Sequence, residues 1–266
     1  MVITPKTRKS HYWNEDRFIV GKDFLMVIDG ATPLLKQNDF NEACWMVNYM
    51  KKNINKYSGP IIERLKKISY QGYIDLPSNK KTEEYLPSAS LSFVEYDDEY
   101  FYASVLGDCE VTFITKSNEV IRCYSDDLGK LDKISIENLV KIAKEKDIHV
   151  LKARPYINDI LIKHRKMINK VGGYNAFTLM EKPNFSPLVL KLRKEEVKEI
   201  YLYSDGFSQS FESLKIYSSH NDMFSKSLDL EFEIENIKNA SFLDPYCNQY
   251  PRLKKIDDIT IIKVEN

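Results

Sequence analysis

The sequence has no surplus of either charge, no long apolar run and no cysteine pattern, and each absence removes a class of function. Lys and Arg together number 39, and so do Asp and Glu. That balance argues against a protein that holds nucleic acid or a membrane surface by bulk electrostatics, leaving only a local basic patch for such a role. No run approaches the ~18 apolar residues needed to cross a bilayer. The N-terminal stretch MVITPKTRKSHYWNED has basic residues but no apolar segment after them, which disfavours a signal peptide. The four cysteines, Cys44, Cys109, Cys123 and Cys247, show neither C-x-x-C spacing nor a zinc pattern. They read as reduced thiols, and the expected location is the cytoplasm. No repeat, low-complexity tract or Gly/Ser/Pro linker divides the 266 residues, so a single domain over 1–266 is expected.

What is present is a mixture of period-two and helical patterning. Arg17–Val20 and Phe24–Ile28 read as strands joined through Gly21-Lys22-Asp23, a good tight-turn sequence. A helix is predicted from about Asp39 to Tyr57, with Ala43, Met46, Val47, Met50 and Ile54 on one face and Asn38 or Asp39 as its cap. Another begins after Pro60. Asp75–Ser88 is a polar, Pro-bounded loop. Four strand-like runs follow, SLSFVEY, YFYASVL, VTFIT and VIRCY, separated by short polar turns; they predict an antiparallel meander. Ser135–Lys146, capped by Ser135, and about Asn158–Val171 read as helices, as do about Gly206–Ile216 and Asn221–Ala240. Ile200–Ser204 and Ile259–Val264 are buried strands. Hairpin-type connections in this order predict an α+β fold with two antiparallel sheets face to face and helices outside them.

The aspartates fall at informative places. Asp29 follows FLMVI, Asp108 follows YASVLG, Asp205 follows IYLYS, and Asp257 precedes ITIIKV. The acidic turn Asn14-Glu15-Asp16 sits at the other mouth of the first hairpin, so strand pairing would bring its carboxylates toward Asp29. Asp and Gly also end strands merely because they suit turns. Four such tips and a fifth acidic turn, with no clustered His or Cys, suit a hard cation such as Mg²⁺ or Mn²⁺.

The ordered set of motifs resembles the metal-dependent serine/threonine protein phosphatases of type 2C. The residues that carry the resemblance are NED (Asn14–Asp16), VIDG (Val27–Gly30), VLGDC (Val105–Cys109), YSDGF (Tyr203–Phe207) and IDDITII (Ile256–Ile262), with PSASLSFVEY before the third. The resemblance implies a four-layer αββα sandwich with its site at one end, between the sheets. It implies that Asp29 bridges two ions, that the Gly30 carbonyl contacts one, and that Glu15, Asp205 and Asp257 complete the set. Asp108 with Asp205 would hold a weaker third ion. Two ions about 3.5–4 Å apart share a water and lower its pKa, so that hydroxide attacks phosphorus directly. Asp29, Glu15 and His11 would then be the catalytic group, and a phosphorylated protein the substrate. Cys109, beside Asp108 but lacking a basic partner, reads as core rather than as a nucleophile.

The chain departs from the family in three places. His11 stands where the family places a phosphate-gripping Arg; with an unperturbed pKa near about 6.5 it is mostly neutral at pH 7. His11, Arg17 or Arg8 would hold substrate phosphate instead. The first Asp-Gly continues into ATPLL, so no His follows to protonate the leaving group, and the usual final Asp-Asn is Asp257-Asp258. The stretch 133–187 falls where the family carries a flap and extra helices; its basic run Lys163, His164, Arg165 and Lys166 reads as a solvated helix face. Two alternatives stay open: a degenerate member that binds metal or phosphorylated partners without turnover, and a phosphatase of small phosphate esters.

Overall fold

The computed structural model describes residues 1–10, 12–35, 41–82 and 86–266. In chain order the elements are β1 (Val2–Arg8), β2 (Asp16–Val20), β3 (Phe24–Gly30), α1 (Glu42–Asn53), α2 (Ile61–Asp75), β4 (Ser88–Tyr96), β5 (Tyr100–Leu106), β6 (Glu110–Thr115), β7 (Val120–Cys123), α3 (Asp127–Glu145), α4 (Asn158–Arg165), β8 (Phe177–Thr178), β9 (Leu188–Arg193), β10 (Val197–Tyr203), α5 (Asp205–Glu212), α6 (His220–Met223), α7 (Leu230–Leu243) and β11 (Ile259–Glu265). One sheet has the order β1-β11-β10-β6-β7. The other runs β2-β3-β4-β5-β9, with β8 added on β4. Every strand pair is antiparallel.

Side-chain alternation explains the layering. In β3, Leu25 and Val27 point into the space between the sheets, where they meet Val105, Val111, Ile200, Leu202 and Ile262. The alternate residues, Met26 and Ile28, point outward onto Met46, Val47 and Met50 of α1 and Leu65 and Ile68 of α2. In the partner sheet, Ile200 and Leu202 face inward, whereas Tyr201, Tyr203, Ile259 and Ile261 face Phe207, Phe211, Ile234 and Ile237 of α5 and α7. A strand segment buried on both faces must be apolar at every position, which is why Phe24–Ile28 of β3 and Ile200–Tyr203 of β10 read as continuous apolar runs. The result is the four-layer αββα sandwich. A fourth, smaller core joins α3, α4 and the 3₁₀ stretch Val150–Ile157 through Leu139, Ala143, Ala153, Ile157 and Leu161.

Several elements differ from the sequence reading. The four central strands are not one meander: β4–β5 and β6–β7 are hairpins in different sheets, and the chain crosses between them at Gly107-Asp108-Cys109. Gly107 makes that crossing with φ +75° beneath Ser90, where a Cβ would overlap the serine hydroxyl. Ser135 does not cap a helix. It lies inside α3, which starts at Asp127, and its hydroxyl donates back to the Leu131 carbonyl. Gly129 and the charged run around it hid the first two turns. The helix expected over Asn221–Ala240 is two, because Asp229 caps α7 by accepting from the Glu231 and Phe232 N–H groups. In place of the caps expected at Asn38 or Asp39, which lie outside the described residues, Asn41 caps α1 by accepting from the Cys44 N–H at 2.8 Å. β1 and β9 were not read from the sequence, and β9 is mostly exposed. Among the described residues no helix is long and apolar enough to cross a membrane.

Candidate active site

Strand register assembles the acidic residues. Asp16 and Asp29 are cross-strand partners in the β2–β3 hairpin, and Asp29 faces Ser90 on β4. The Ser90 hydroxyl accepts from the Asp108 N–H at 3.2 Å, which fixes the tip of the sheet crossing beside Asp29. From the other sheet, Ser204 at the end of β10 donates to Asp16 Oδ2 at 2.8 Å and accepts from the Thr260 N–H of β11 at 3.0 Å, locking the two sheets together at this end. Asp205 then opens α5. Gly206 follows because the Asp258 carbonyl lies 1.9 Å from where a Cβ would sit, so only glycine lets α5 approach the strand so closely.

Asp29, Asp108, Asp205 and Asp257 line one cavity of about 1030 Å³. Burial raises the pKa of Asp29 well above the ordinary carboxylate value, and the charges of Asp16, Asp108 and Asp257 push it further. Asp205 is raised well above its ordinary value by burial and by Asp29, Asp257 and Asp108. Asp16 follows by burial and by Asp258, and Asp108 is raised chiefly by burial. Carboxylates crowded in this way call for positive charge between them. The donor set, all oxygen and all anionic, suits a hard divalent cation. Among the described residues no group of three or more His, Cys, Asp or Glu is arranged to hold an ion as it stands. The cation that touches the cluster is Lys254, whose ammonium donates to Asp257 Oδ1 at 2.8 Å.

The other expected site residues are placed differently. Glu15 is buried beside the cavity, not on its lining; its carboxylate accepts from Thr32 Oγ1 and Asn41 Nδ2, at 2.5 and 2.7 Å. Its backbone carbonyl accepts from the Gly30 N–H at 3.1 Å, so Glu15 and Gly30 are brought together through main chain. Asp16, which the motif reading left without a role, is the residue of that turn facing the other aspartates. Arg17 is committed elsewhere, to Asn48 Oδ1 and to the Asn14 and Asp16 carbonyls. Arg8 pairs with Glu231 on the surface. His11 lies outside the described residues. Cys109 is fully buried in the inter-sheet core, and burial pushes its thiol well up, as a core residue requires.

The positive side of the cavity comes from the helical annex. Arg165, at the end of α4, and Arg154, in the 3₁₀ stretch before it, line the cavity with His164 and Asp132. Burial lowers the Arg165 pKa from its ordinary value, opposed by Tyr174, Glu15 and Asp132; burial and Arg165 lower that of Arg154. Arg165 also donates to the Thr32 carbonyl at 3.3 Å. Two guanidinium groups that repel each other across a cavity form a ready site for a dianion. Part of the run read as a solvated helix face is therefore cavity wall, and nothing in its sequence separates the two cases. Asp132, half-buried in the cavity wall, is pushed up to about 7 by desolvation, with the charge of Asp108 adding to it.

Comparison with known proteins adds the fold. No protein-family model matches the chain, and no curated protein matches it in sequence. Solved structures do. The serine/threonine phosphatase Stp1 from Staphylococcus aureus superposes with a TM-score of 0.57 at 12% identity, over 99% of this chain and 94% of that one. The serine/threonine phosphatase PstP/Ppp from Mycobacterium tuberculosis gives 0.58 at 13% identity, over 99% and 97%. The catalytic domain of PstP in complex with two manganese ions gives 0.51 at 11% identity, over 99% and 97%. The chain has the fold of the bacterial type 2C serine/threonine phosphatases along nearly its whole length.

Proposed function

We propose that the protein is a divalent-metal-dependent phosphatase acting on phosphoserine and phosphothreonine in proteins. The observation that carries this reading is the meeting of four strand-tip aspartates, Asp29, Asp108, Asp205 and Asp257, in one cavity of a phosphatase fold. Asp29, Asp205 and Asp257 would hold two Mn²⁺ or Mg²⁺ ions, with Asp108 contributing to a weaker third position. When bound, such ions activate water and neutralise phosphate charge. Glu15 and Gly30 shape the first turn around Asp29, and the Asp16 carboxylate, held by Ser204, sets the depth of the acidic floor. Arg165 and Arg154 line the same cavity and would grip the phosphoryl oxygens, the task first expected of His11 or Arg17. Asp132 stands on the same wall, its pKa pushed up to about 7 by burial and by Asp108, and would be the group to hand a proton to the departing alkoxide.

A second reading, binding of phosphoproteins without turnover, is favoured by the pairing of Lys254 with Asp257. The test is hydrolysis of a phosphothreonine peptide and of p-nitrophenyl phosphate with Mn²⁺, with Mg²⁺ and with a chelator, using Asp205→Asn as control. Metal-dependent turnover that is lost in the variant is the expected result. Retention of the phosphopeptide with no hydrolysis of either substrate would replace it with the binding reading, and turnover of the small ester alone would move the substrate class.

A further inference from the structure

We propose that Lys254 is a built-in counter-ion of the acidic cavity, its ammonium competing with a divalent cation for Asp257 and the carboxylates beside it. The inference rests on the reading of this cavity as a cation site, but not on turnover.

Two observations carry it. First, Lys254 Nζ donates to Asp257 Oδ1 at 2.8 Å, and Lys254 lines the same cavity as Asp29, Asp205 and Asp257. Second, the segment bearing Lys254 is fixed. The buried Arg252 donates to Asp244 Oδ2 at 2.8 Å, to the Tyr250 and Asp244 carbonyls, and through Nε and Nη2 to the Lys255 carbonyl at 3.1 and 3.0 Å. The Cys247 thiol meets the Lys254 carbonyl itself. The backbone is therefore held on both sides of Lys254, and the amine reaches Asp257 from an anchored base.

A lysine amine and a divalent ion are alternative partners for the same carboxylate oxygen. An ion that takes Asp257 through Oδ1 must break this charge-assisted hydrogen bond and displace the ammonium. Metal binding on the Asp257 side is then weakened by the chain itself, and release of Lys254 accompanies it.

The test measures binding of Mn²⁺ alone, by calorimetry and by the loss of the free-ion paramagnetic resonance signal, in wild-type protein, Lys254→Met and Lys254→Arg. Lys254→Met is expected to bind Mn²⁺ at least about tenfold more tightly, a gain of about 1.4 kcal/mol, and Lys254→Arg to stay near wild type. Equal affinity in wild type and Lys254→Met would overturn the proposal. A second measurement needs no variant. Acylation of Lys254 in the wild-type protein, followed by peptide mass spectrometry, should rise when Mn²⁺ is added; labelling that stays constant or falls would also overturn it. Both readouts are independent of hydrolysis. Tighter metal binding in Lys254→Met with no phosphatase activity in any form would sink the enzyme reading and leave this one standing.

Discussion

At the scale of single residues, the departure at the last motif has a structural cause. Asp258 stands where the resemblance implies an asparagine. The carboxylate accepts three hydrogen bonds: Oδ1 from the Ser10 N–H and hydroxyl at 2.6 and 2.8 Å, and Oδ2 from the Glu15 N–H at 2.7 Å. Only a group that accepts at both atoms can do this, because an asparagine amide presents a donor at one of them. Asp258→Asn should therefore cost about 1–3 kcal/mol, read as a lower urea midpoint at unchanged m-value. An unaltered midpoint would mean that the N-terminal turn is held by other contacts. The same comparison shows what residue-level reading could reach. Asp29, Asp108, Asp205 and Asp257 were legible because each adjoins one end of an apolar run, the first three after it and Asp257 before it, and antiparallel strands bring such tips to one end of a sheet. The Glu15–Asp16 pair was not separable, since adjacent residues point oppositely and only the register with Asp29 says which faces inward.

At the scale of elements, the sandwich was readable, and so were the two helices of the annex, but not which of their residues face the cavity. The two-sided burial of β3 and β10 follows from uninterrupted apolar sequence, and the apolar face of α1 from its spacing. By contrast, α3 and α4 show a highly charged pattern, basic only at the end of α4, whose cavity-facing members are set by packing around Leu139, Ala153 and Leu161. The strand assignment also failed to separate the β4–β5 hairpin from β6–β7, because a turn of three residues reads alike whether it closes a hairpin or crosses between sheets. The annex makes its own prediction. If Arg165 grips substrate phosphate, Arg165→Ala should raise KM for a phosphopeptide by about tenfold or more, equivalent to about 1.4 kcal/mol, with a smaller change in kcat. Arg165→Lys should recover only part of it, since an ammonium cannot reproduce the guanidinium fork. A fall in kcat at constant KM would instead place Arg165 outside substrate binding.

At the scale of the whole molecule, the charge arrangement sets opposing pH dependences. Asp244 is buried, which opposes its ionisation, but the Tyr250 N–H, Arg252 and the Gln249 N–H outweigh this and hold it below the usual carboxylate value. A depressed carboxylate adds stability that is present above its unfolded pKa and is lost as pH falls through the folded one. Asp132 has the reverse sign: burial, with Asp108 reinforcing it, lifts the group from 3.8 to about 7. The folded chain then holds that proton more tightly than the unfolded chain, so the contribution is complete below the unfolded value and is lost as pH rises toward 7. Asp16, Asp29, Asp108 and Asp205 are shifted in the same direction. More carboxylates are raised here than lowered among those flanking the cavity, so the metal-free protein should melt at a lower temperature near about pH 8 than near about pH 5, and Asp132→Asn should flatten part of that slope. Excess Mn²⁺ should reverse its sign, because a divalent cation binds the ionised carboxylates and draws the folded state toward them. Calorimetric scans across that range, with chelator and then with Mn²⁺, decide the matter. A melting temperature that rises with pH in chelator would show that the acidic cluster is already neutralised from within, and more fully than Lys254 alone can manage.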